Sequence, residues 1–407
     1  MTTTTATTYG SEPRHARRNA VLLSAAAAFS GAIPVITISL GGLAGSYLLD
    51  ADKSLATLPI SGFNVGVALG TIPAALLMRR VGRRAGFLSG ASVAIFGGLI
   101  AGYAVLIGSF ALVTFGLLTV GFSAAFAQQY RFAAADVGSP AFRAKAISWV
   151  LTGGIAAAVI GPQTVILTRN LLSPIPFAAS FLAIGILALV AIAILSQLSG
   201  DAGRPPPRAE QSGGRPLAEI ARQPRFIVAI VCSMGSYALM SLLMTAAPLA
   251  IVGCGFGQDS AALGIQWHVM AMFGPSYFTG QLIARYGKEP VIAIGMGLLA
   301  LCAVVAVAGV NLANFWLALI LLGVGWNFGF IGSTAMLTET YRPEEKNTVQ
   351  GLNDFLVFGS VALASLSSGQ LYATVGWERL NLYAFPVIAV CVVALAGAFV
   401  MRRRRAG

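Results

Sequence analysis

Long apolar segments separated by short polar ones make up most of this chain. The segments are roughly 20 residues or longer, which is what an α-helix needs to cross a hydrocarbon core about 30 Å thick. The pattern predicts twelve membrane-spanning helices, at residues 20–45, 55–78, 86–107, 109–129, 146–168, 174–197, 226–252, 260–283, 290–310, 313–337, 349–372 and 380–401. We therefore expect an all-α membrane protein.

The longest polar stretch, residues 198–225, divides the twelve segments into two sets of six. It contains three consecutive prolines and five arginines, a composition typical of a flexible linker. The pattern predicts a disordered cytoplasmic tail at 1–18, a six-helix bundle at 19–197, a cytoplasmic linker at 198–225, a second six-helix bundle at 226–401 and a basic cytoplasmic tail at 402–407.

Composition agrees with a membrane protein. The chain is 57% hydrophobic and 10% charged, and its mean hydropathy is +0.81. The net charge of +12 does not indicate a nucleic-acid partner, because all but three of the 26 Lys and Arg residues (Lys53, Arg169 and Arg379) fall in the termini and in alternate loops. This asymmetry places both termini in the cytoplasm. The lipid bilayer is the expected partner, and the polar tail before the first span argues against a cleavable signal peptide.

The two halves have similar loops after their second and fourth segments, as expected for the parallel repeats of a secondary transporter. The first of these loops resembles the Gly-x-Leu-x-Asp-Arg-x-Gly-Arg-Arg signature of the major facilitator superfamily. The matching residues are Arg80, Gly82, Arg83 and Arg84 in the first half and Gly280, Leu282, Arg285, Gly287 and Lys288 in the second. Arg79 and Ala284 stand where that signature has its acidic residue. The resemblance implies two pseudo-symmetric six-helix bundles, with a gating role for the cytoplasmic-loop residues.

The seventh and eighth segments contain soft metal ligands at mid-depth. Met240 and Met244, and likewise His268 and Met272, have i, i+4 spacing, so each pair shares one helix face. Thioether and imidazole groups suit Cu(I). Each methionine alone would be interpreted as packing filler, and a lone histidine as either structural or functional. It is their conjunction at one depth that favours a metal site.

Elimination supports the same hypothesis. The central parts of the twelve spans contain no Asp, Glu, Lys or Arg. A proton-coupled carrier usually needs a buried carboxylate, and a carrier of carboxylates needs a buried cation. His268 remains as the mid-membrane group with proton or metal chemistry.

The Met-x-x-x-Met and His-x-x-x-Met pair resembles that of the CcoA-type copper importers of proteobacteria. The resemblance implies that Met240, Met244, His268 and Met272 carry copper, assisted by the thiols of Cys232 and Cys254. It also implies a multi-pass protein of the bacterial cytoplasmic membrane that imports Cu(I) by alternating access for cytochrome c oxidase assembly. Copper would be the transported substrate, with no permanently bound cofactor, and a cytoplasmic copper chaperone is a candidate partner.

Two alternatives stay open. One is an organic-solute or drug exporter of the same superfamily, suggested by Gly153, Gly154, Gly161 and Pro162, which loosely match a glycine-proline motif associated with export. The other is a non-transporting factor for the assembly of membrane complexes. An enzyme is not expected, because the sequence shows neither a nucleophile-base pair nor a phosphate-binding loop.

Overall fold

The computed structural model describes residues 14–136, 140–199 and 214–406, and every regular element in these ranges is helical. The first half contains α1 (Arg14–Leu48), α2 (Leu58–Val81), α3 (Arg83–Leu106), α4 (Phe110–Ala127), α5 (Tyr130–Asp136), α6 (Pro140–Thr168) and α7 (Ala178–Leu195). The second half contains α8 (Leu217–Ala221), α9 (Pro224–Gly253), α10 (Gln258–Phe273), α11 (Ser276–Tyr286), α12 (Lys288–Val307), α13 (Leu312–Leu337), α14 (Lys346–Leu382) and α15 (Ala384–Ala406).

The predicted all-α fold is confirmed, and the described residues contain about ten to twelve candidate crossings. Ten stretches of the described residues are long and apolar enough to cross a membrane. One of these, Thr348–Ala398, covers two of the predicted segments, and the backbone leaves helical geometry between them at Gly376 (φ 77°), within the bounds of α14. The eighth crossing is not among the ten. It was predicted as one continuous segment, and the structure divides it into α10 and α11 at Gly274 and Pro275.

Several helices extend beyond the predicted segments. Helix α1 begins at Arg14, inside the predicted tail, and α15 continues through the basic residues to Ala406. The end of the predicted linker forms α8 and the first turn of α9. Residues 1–13 of the predicted tail and 200–213 of the predicted linker lie outside the described residues, so both assignments stay predictions.

The two signature loops have the same backbone shape. Gly82 separates α2 from α3 with φ of 85°, and Gly287 separates α11 from α12 with φ of 90°. A side chain is strained in this left-handed region, so both turns require glycine. The equivalence supports the internal repeat that the sequence predicted.

The helices of each half pack around their own apolar cores. In the first half, one core at the cytoplasmic end is built entirely from first-half residues, including Leu23, Phe87 and Leu195. A second core, at the opposite end, includes Leu249 and Ala262 of the second half. The halves therefore share an apolar core at the end away from the termini, which we call the outer end.

Candidate functional site

The outer end of the interface is closed by hydrogen bonds between α2 and α14. Thr57 donates its hydroxyl hydrogen to the Ser365 carbonyl (3.2 Å), and the Gly369 N–H donates to the Thr57 hydroxyl (3.1 Å). The Ser61 and Ser365 hydroxyls lie 3.3 Å apart. All four residues are buried, so these short side chains hold the two halves in direct contact.

Gly369 makes this approach possible. A Cβ atom at this position would lie 2.4 Å from the Thr57 hydroxyl oxygen, which is closer than real Cβ contacts allow. Any larger residue would force α2 and α14 apart at the outer end.

A second connection at the outer end joins α6 to α10. The Arg169 guanidinium forms a two-point ion pair with the Asp259 carboxylate, with one N···O distance of 3.0 Å. About two helical turns closer to the middle of the membrane, the Gln163 side-chain amide donates to the side-chain oxygen of Gln266 at 3.0 Å. Together with the contacts of Thr57, we call the Arg169–Asp259 pair the outer seal.

A cavity of about 380 Å³ lies beside the outer seal. Residues of both halves line it, among them Tyr47, Lys53, Phe177, Leu249 and Tyr372. The cavity is thus space left between the closed halves. The ammonium group of Lys53, which lines it, is already hydrogen-bonded to the backbone carbonyls of Ser46 and Leu49.

The break between α10 and α11 lies at mid-depth and is satisfied by one buried side chain. The Asn327 amide donates to the Met272 carbonyl and to the Ser276 hydroxyl, both at 2.7 Å. Its oxygen accepts the Thr279 hydroxyl at 2.6 Å. Freed backbone groups are costly in a membrane unless a neighbour replaces the lost bonds, and interrupted helices commonly form the binding sites of transporters.

An aromatic cluster lies next to this break, which we call the aromatic wall: Tyr237 of α9, Trp326 and Phe330 of α13, and Phe358 of α14. The Tyr237 ring meets those of Trp326 and Phe330 edge-on, with centroids 5.2 and 5.0 Å apart. Phe358 lies 6.0 Å from Tyr237. Trp326 is buried, and its indole N–H has no partner among the described residues.

Two opposite charges lie on the cytoplasmic side of the aromatic wall. Arg131 of α5 lies close enough to Asp354 of α14 for their opposite charges to attract, and it also lies near the Tyr237 ring. Both charged side chains are exposed, and they come from different halves. The arrangement combines flat apolar rings at mid-depth with a cation and an anion nearer the cytoplasm, which suits a molecule with an aromatic part and a polar part.

The four predicted copper ligands lie in the core of the second half. Met240, Met244 and Met272 belong to one apolar core together with Leu319. His268 is fully buried, and its Nδ1 lies 2.8 Å from the Leu319 carbonyl. Because a carbonyl only accepts, Nδ1 carries the hydrogen, and Nε2 has no partner among the described residues.

The two predicted thiols lie far apart. Cys232 and Cys254 are 22 residues apart on one helix, about 33 Å at 1.5 Å per residue. Cys254 is exposed at the end of α9, whereas Cys232 is buried against Cys391 of α15, with its thiol 3.8 Å from the Cys391 carbonyl. The structure therefore brings Cys232 to a cysteine for which the sequence suggested no role.

The predicted gating residues lie in the two cytoplasmic loops. Arg80 is exposed and Arg83 is buried, and Arg84 donates to the Ser196 carbonyl at the end of α7. In the second half, Arg285 stacks over the ring of Tyr286 at 5.3 Å, and Gly280 has open space around it. Their role in gating stays a prediction.

Two six-helix halves, sealed at one end of their interface and carrying an interrupted helix at mid-depth, define a secondary transporter. The chain belongs to the Major Facilitator Superfamily, whose sequence profile matches residues 20–365 and, in a second match, 276–407. It is a multi-pass membrane transporter and not an enzyme.

Individual proteins of the superfamily resemble the chain in sequence and in structure. The chain is 50% identical over 380 residues to the riboflavin transporter RfnT of Brucella anthropi, covering 93% of this chain and 95% of that protein. It is 30% identical to the uncharacterized MFS-type transporter YddS of Bacillus subtilis, covering 87% and 84%. A crystal structure of a bacterial homolog of the human lysosomal transporter Spinster, inward-facing and occupied, superposes with a TM-score of 0.69 at 14% identity, covering 97% and 98%. That likeness shows the fold alone.

The prediction of copper import is wrong. A relative that is half identical along nearly the whole chain transports riboflavin, so the resemblance to the CcoA-type importers, the copper substrate, the copper chaperone and the link to cytochrome oxidase assembly are all withdrawn. The organic-solute alternative agrees better with this relative. Met240, Met244 and Met272 lie where methionine commonly fills gaps in helix packing.

The aromatic wall and the helix break were not predicted from the sequence. Gly274 and Pro275 interrupt an apolar segment, and such an interruption is itself a signal of a transporter binding site. Trp326 and Asn327 stand side by side in the tenth predicted span. A polar amide beside a tryptophan in the middle of a membrane helix needs a partner, and that requirement could have identified both.

Proposed function

We propose that this protein carries riboflavin across the bacterial cytoplasmic membrane. The observation that carries the proposal is its 50% identity, over 93% of the chain, to the riboflavin transporter RfnT. At that identity the helices, and the side chains between them, are expected to superpose closely.

The chemistry of the interface supports the same substrate. Riboflavin is an uncharged molecule made of a flat tricyclic ring and a polyhydroxyl chain. A neutral solute needs no buried counter-charge, which agrees with the absence of charged residues from the middle of the predicted spans. Aromatic rings stack favourably on flat heterocycles, and the aromatic wall offers such rings at mid-depth.

The experiment is transport of radiolabelled riboflavin into proteoliposomes that contain the purified protein. We expect saturable accumulation above that of protein-free vesicles, abolished by excess unlabelled riboflavin and unaffected by an excess of a simple sugar. Accumulation no greater than in protein-free vesicles, under imposed proton and sodium gradients of either direction, would show that the proposal is wrong.

A further inference from the structure

We infer that the aromatic wall binds the tricyclic ring of the substrate and that Arg131 and Asp354 bind its polyhydroxyl chain. The inference rests on the proposed function and adds to it the residues that recognise each part of the molecule.

The geometry of the aromatic wall decides where a ring can bind. Trp326 and Phe330 stack nearly parallel, with centroids 5.3 Å apart and planes 13° apart. A third ring between them would need about 7 Å, twice an ordinary carbon contact distance. The substrate ring must therefore lie on the open side of the wall. Tyr237, Phe330 and Phe358 are each half-buried and present partly exposed rings, whereas Trp326 is covered and supports them from behind.

The aromatic wall faces the interface between the halves. All four of its rings come from the second half, yet Tyr237 lies near Arg131 of the first half. Phe358 and Asp354 are one turn apart on α14 and so share a face of that helix. A ligand on the wall therefore has Arg131 and Asp354 at the cytoplasmic end of the same face.

Depth agrees with this placement. Tyr237 is near the middle of α9, and Trp326 is near the middle of α13. Transporters built from two repeats hold their substrate near the midplane, at the interface of the repeats. The wall is also adjacent to the interrupted helix, since Trp326 precedes Asn327, which bonds both sides of the break.

The two charges suit a polyol. Guanidinium and carboxylate groups together supply both donors and acceptors to hydroxyl groups. Because both side chains are exposed, they can bond a chain of hydroxyls without the cost of burying a free charge. A substrate that consisted of the aromatic ring alone would not need these two charged groups for binding.

The test compares riboflavin with lumichrome, which has the same fused tricyclic skeleton, as its alloxazine tautomer, and no polyhydroxyl chain. Half-saturating concentrations for riboflavin transport, and inhibition by lumichrome, are measured in proteoliposomes for Phe330→Leu, Phe358→Leu, Asp354→Asn and Arg131→Gln. The matched control is Phe315→Leu, on the same helix as Phe330 but packed against Trp377 with a centroid distance of 5.2 Å.

We expect the two wall variants to weaken riboflavin and lumichrome together, each about tenfold, which corresponds to about 1.4 kcal/mol. Asp354→Asn and Arg131→Gln should weaken riboflavin by a similar factor and leave inhibition by lumichrome unchanged. Phe315→Leu should resemble the unaltered protein for both ligands.

Different outcomes would overturn the aromatic-wall assignment, the assignment of the two charged residues and the proposed function. If the unaltered protein transports riboflavin and the wall variants equal Phe315→Leu, the wall assignment is overturned while the proposed function stands. If the charge variants weaken both ligands equally, the assignment of the chain to Arg131 and Asp354 is overturned. An unaltered protein that neither transports riboflavin nor quenches its fluorescence would overturn the proposed function itself.

Discussion

The two ends of the interface between the halves are built differently. At the outer end, Thr57 bonds Ser365 and Gly369 across the interface, and Leu249 joins the apolar core of the opposite half. At the cytoplasmic end, the first-half core contains first-half residues alone. The difference indicates a carrier state that is sealed on the outside, with its aromatic wall approached from the cytoplasm.

The polar contacts differ in kind as well as in place. The outer seal joins the two halves through short hydroxyl side chains and a glycine as well as through the Arg169–Asp259 ion pair. At the cytoplasmic face, long charged side chains pair within the second half, as Arg215 does with Glu345 and Arg225 with Glu289 and Glu339. On the cytoplasmic side, a hydrogen bond between the exposed residues Thr152 and Tyr277 crosses the interface. We therefore expect changes at the outer seal to alter accessibility, and changes at the cytoplasmic pairs to alter stability.

The largest effect is expected from Gly369→Val. Its side chain would overlap Thr57, so the outer end should stay open and riboflavin transport should fall at least about tenfold, the factor that 1.4 kcal/mol of lost closure gives. Opening is measured with a membrane-impermeant maleimide on Leu249→Cys, a position buried in the closed seal. Cys254→Ser removes the exposed native thiol.

Gly359→Val is the matched control on the same helix, because a Cβ at this position would have no atom within 4 Å. It should transport riboflavin and leave Leu249→Cys unlabelled. Equal labelling of the two valine variants would refute the importance of the close approach at Gly369.

A smaller effect is expected from the Arg169–Asp259 ion pair. The Asp259 side chain is 47% exposed, and partly exposed pairs contribute about 1 kcal/mol or less. Arg169→Ala should therefore increase labelling at the outer end about fivefold or less. The double exchange Arg169→Asp with Asp259→Arg should restore the unaltered level. If the double exchange is labelled as strongly as Arg169→Ala, the contact between α6 and α10 does not depend on charge pairing.

The smallest effect, and one on stability alone, is expected from Arg215→Gln. The Arg215 guanidinium, with help from backbone N–H groups of Arg215 and Arg342, holds the pKa of Glu345 far below its usual range. A lowered carboxyl pKa contributes stability above the unfolded value of about 4.3, and that contribution is lost as pH falls toward the folded value.

The melting temperature of Arg215→Gln should therefore be lower than that of the unaltered protein at pH 7, with a difference that shrinks as the pH falls below about 4. Labelling at the outer seal should not change. Arg222→Gln, at an exposed position nearby, is the control and should melt like the unaltered protein. A difference that widens on acidification would contradict this account of Glu345.

Much of the fold follows from the sequence because bilayer thickness and charge placement leave few choices. Apolar length predicts the crossings, and the glycines at positions 82 and 287 mark equivalent turns. Helix ends are harder, since α1 and α15 extend as helix into residues that are too polar to count as membrane segments. The break at Pro275 was missed because hydrophobicity continues across it.

The site was harder to predict from the sequence. The lack of charged residues in the middle of the spans was used to choose between charged substrates and metals, although it fits a neutral substrate as well. The same lack of mid-membrane charge that favoured copper at His268 suits an uncharged flavin equally well. Sequence spacing showed that Met240 and Met244 share a helix face, but it could not show that this face packs into a core. Tyr237 and Trp326 lie about 90 residues apart, and only folding makes them neighbours.

The amide of Asn327 has a consequence for the eighth crossing. Because it bonds the Met272 carbonyl and the Ser276 and Thr279 hydroxyls, the crossing can be interrupted at Pro275 without leaving these groups unpaired in the membrane. The outer arm of that crossing, α10, packs against α6 of the first half, and the cytoplasmic arm, α11, packs against α12 and α13. Because Asn327 directly follows Trp326, the residue that holds the two arms together is also anchored beside the aromatic wall.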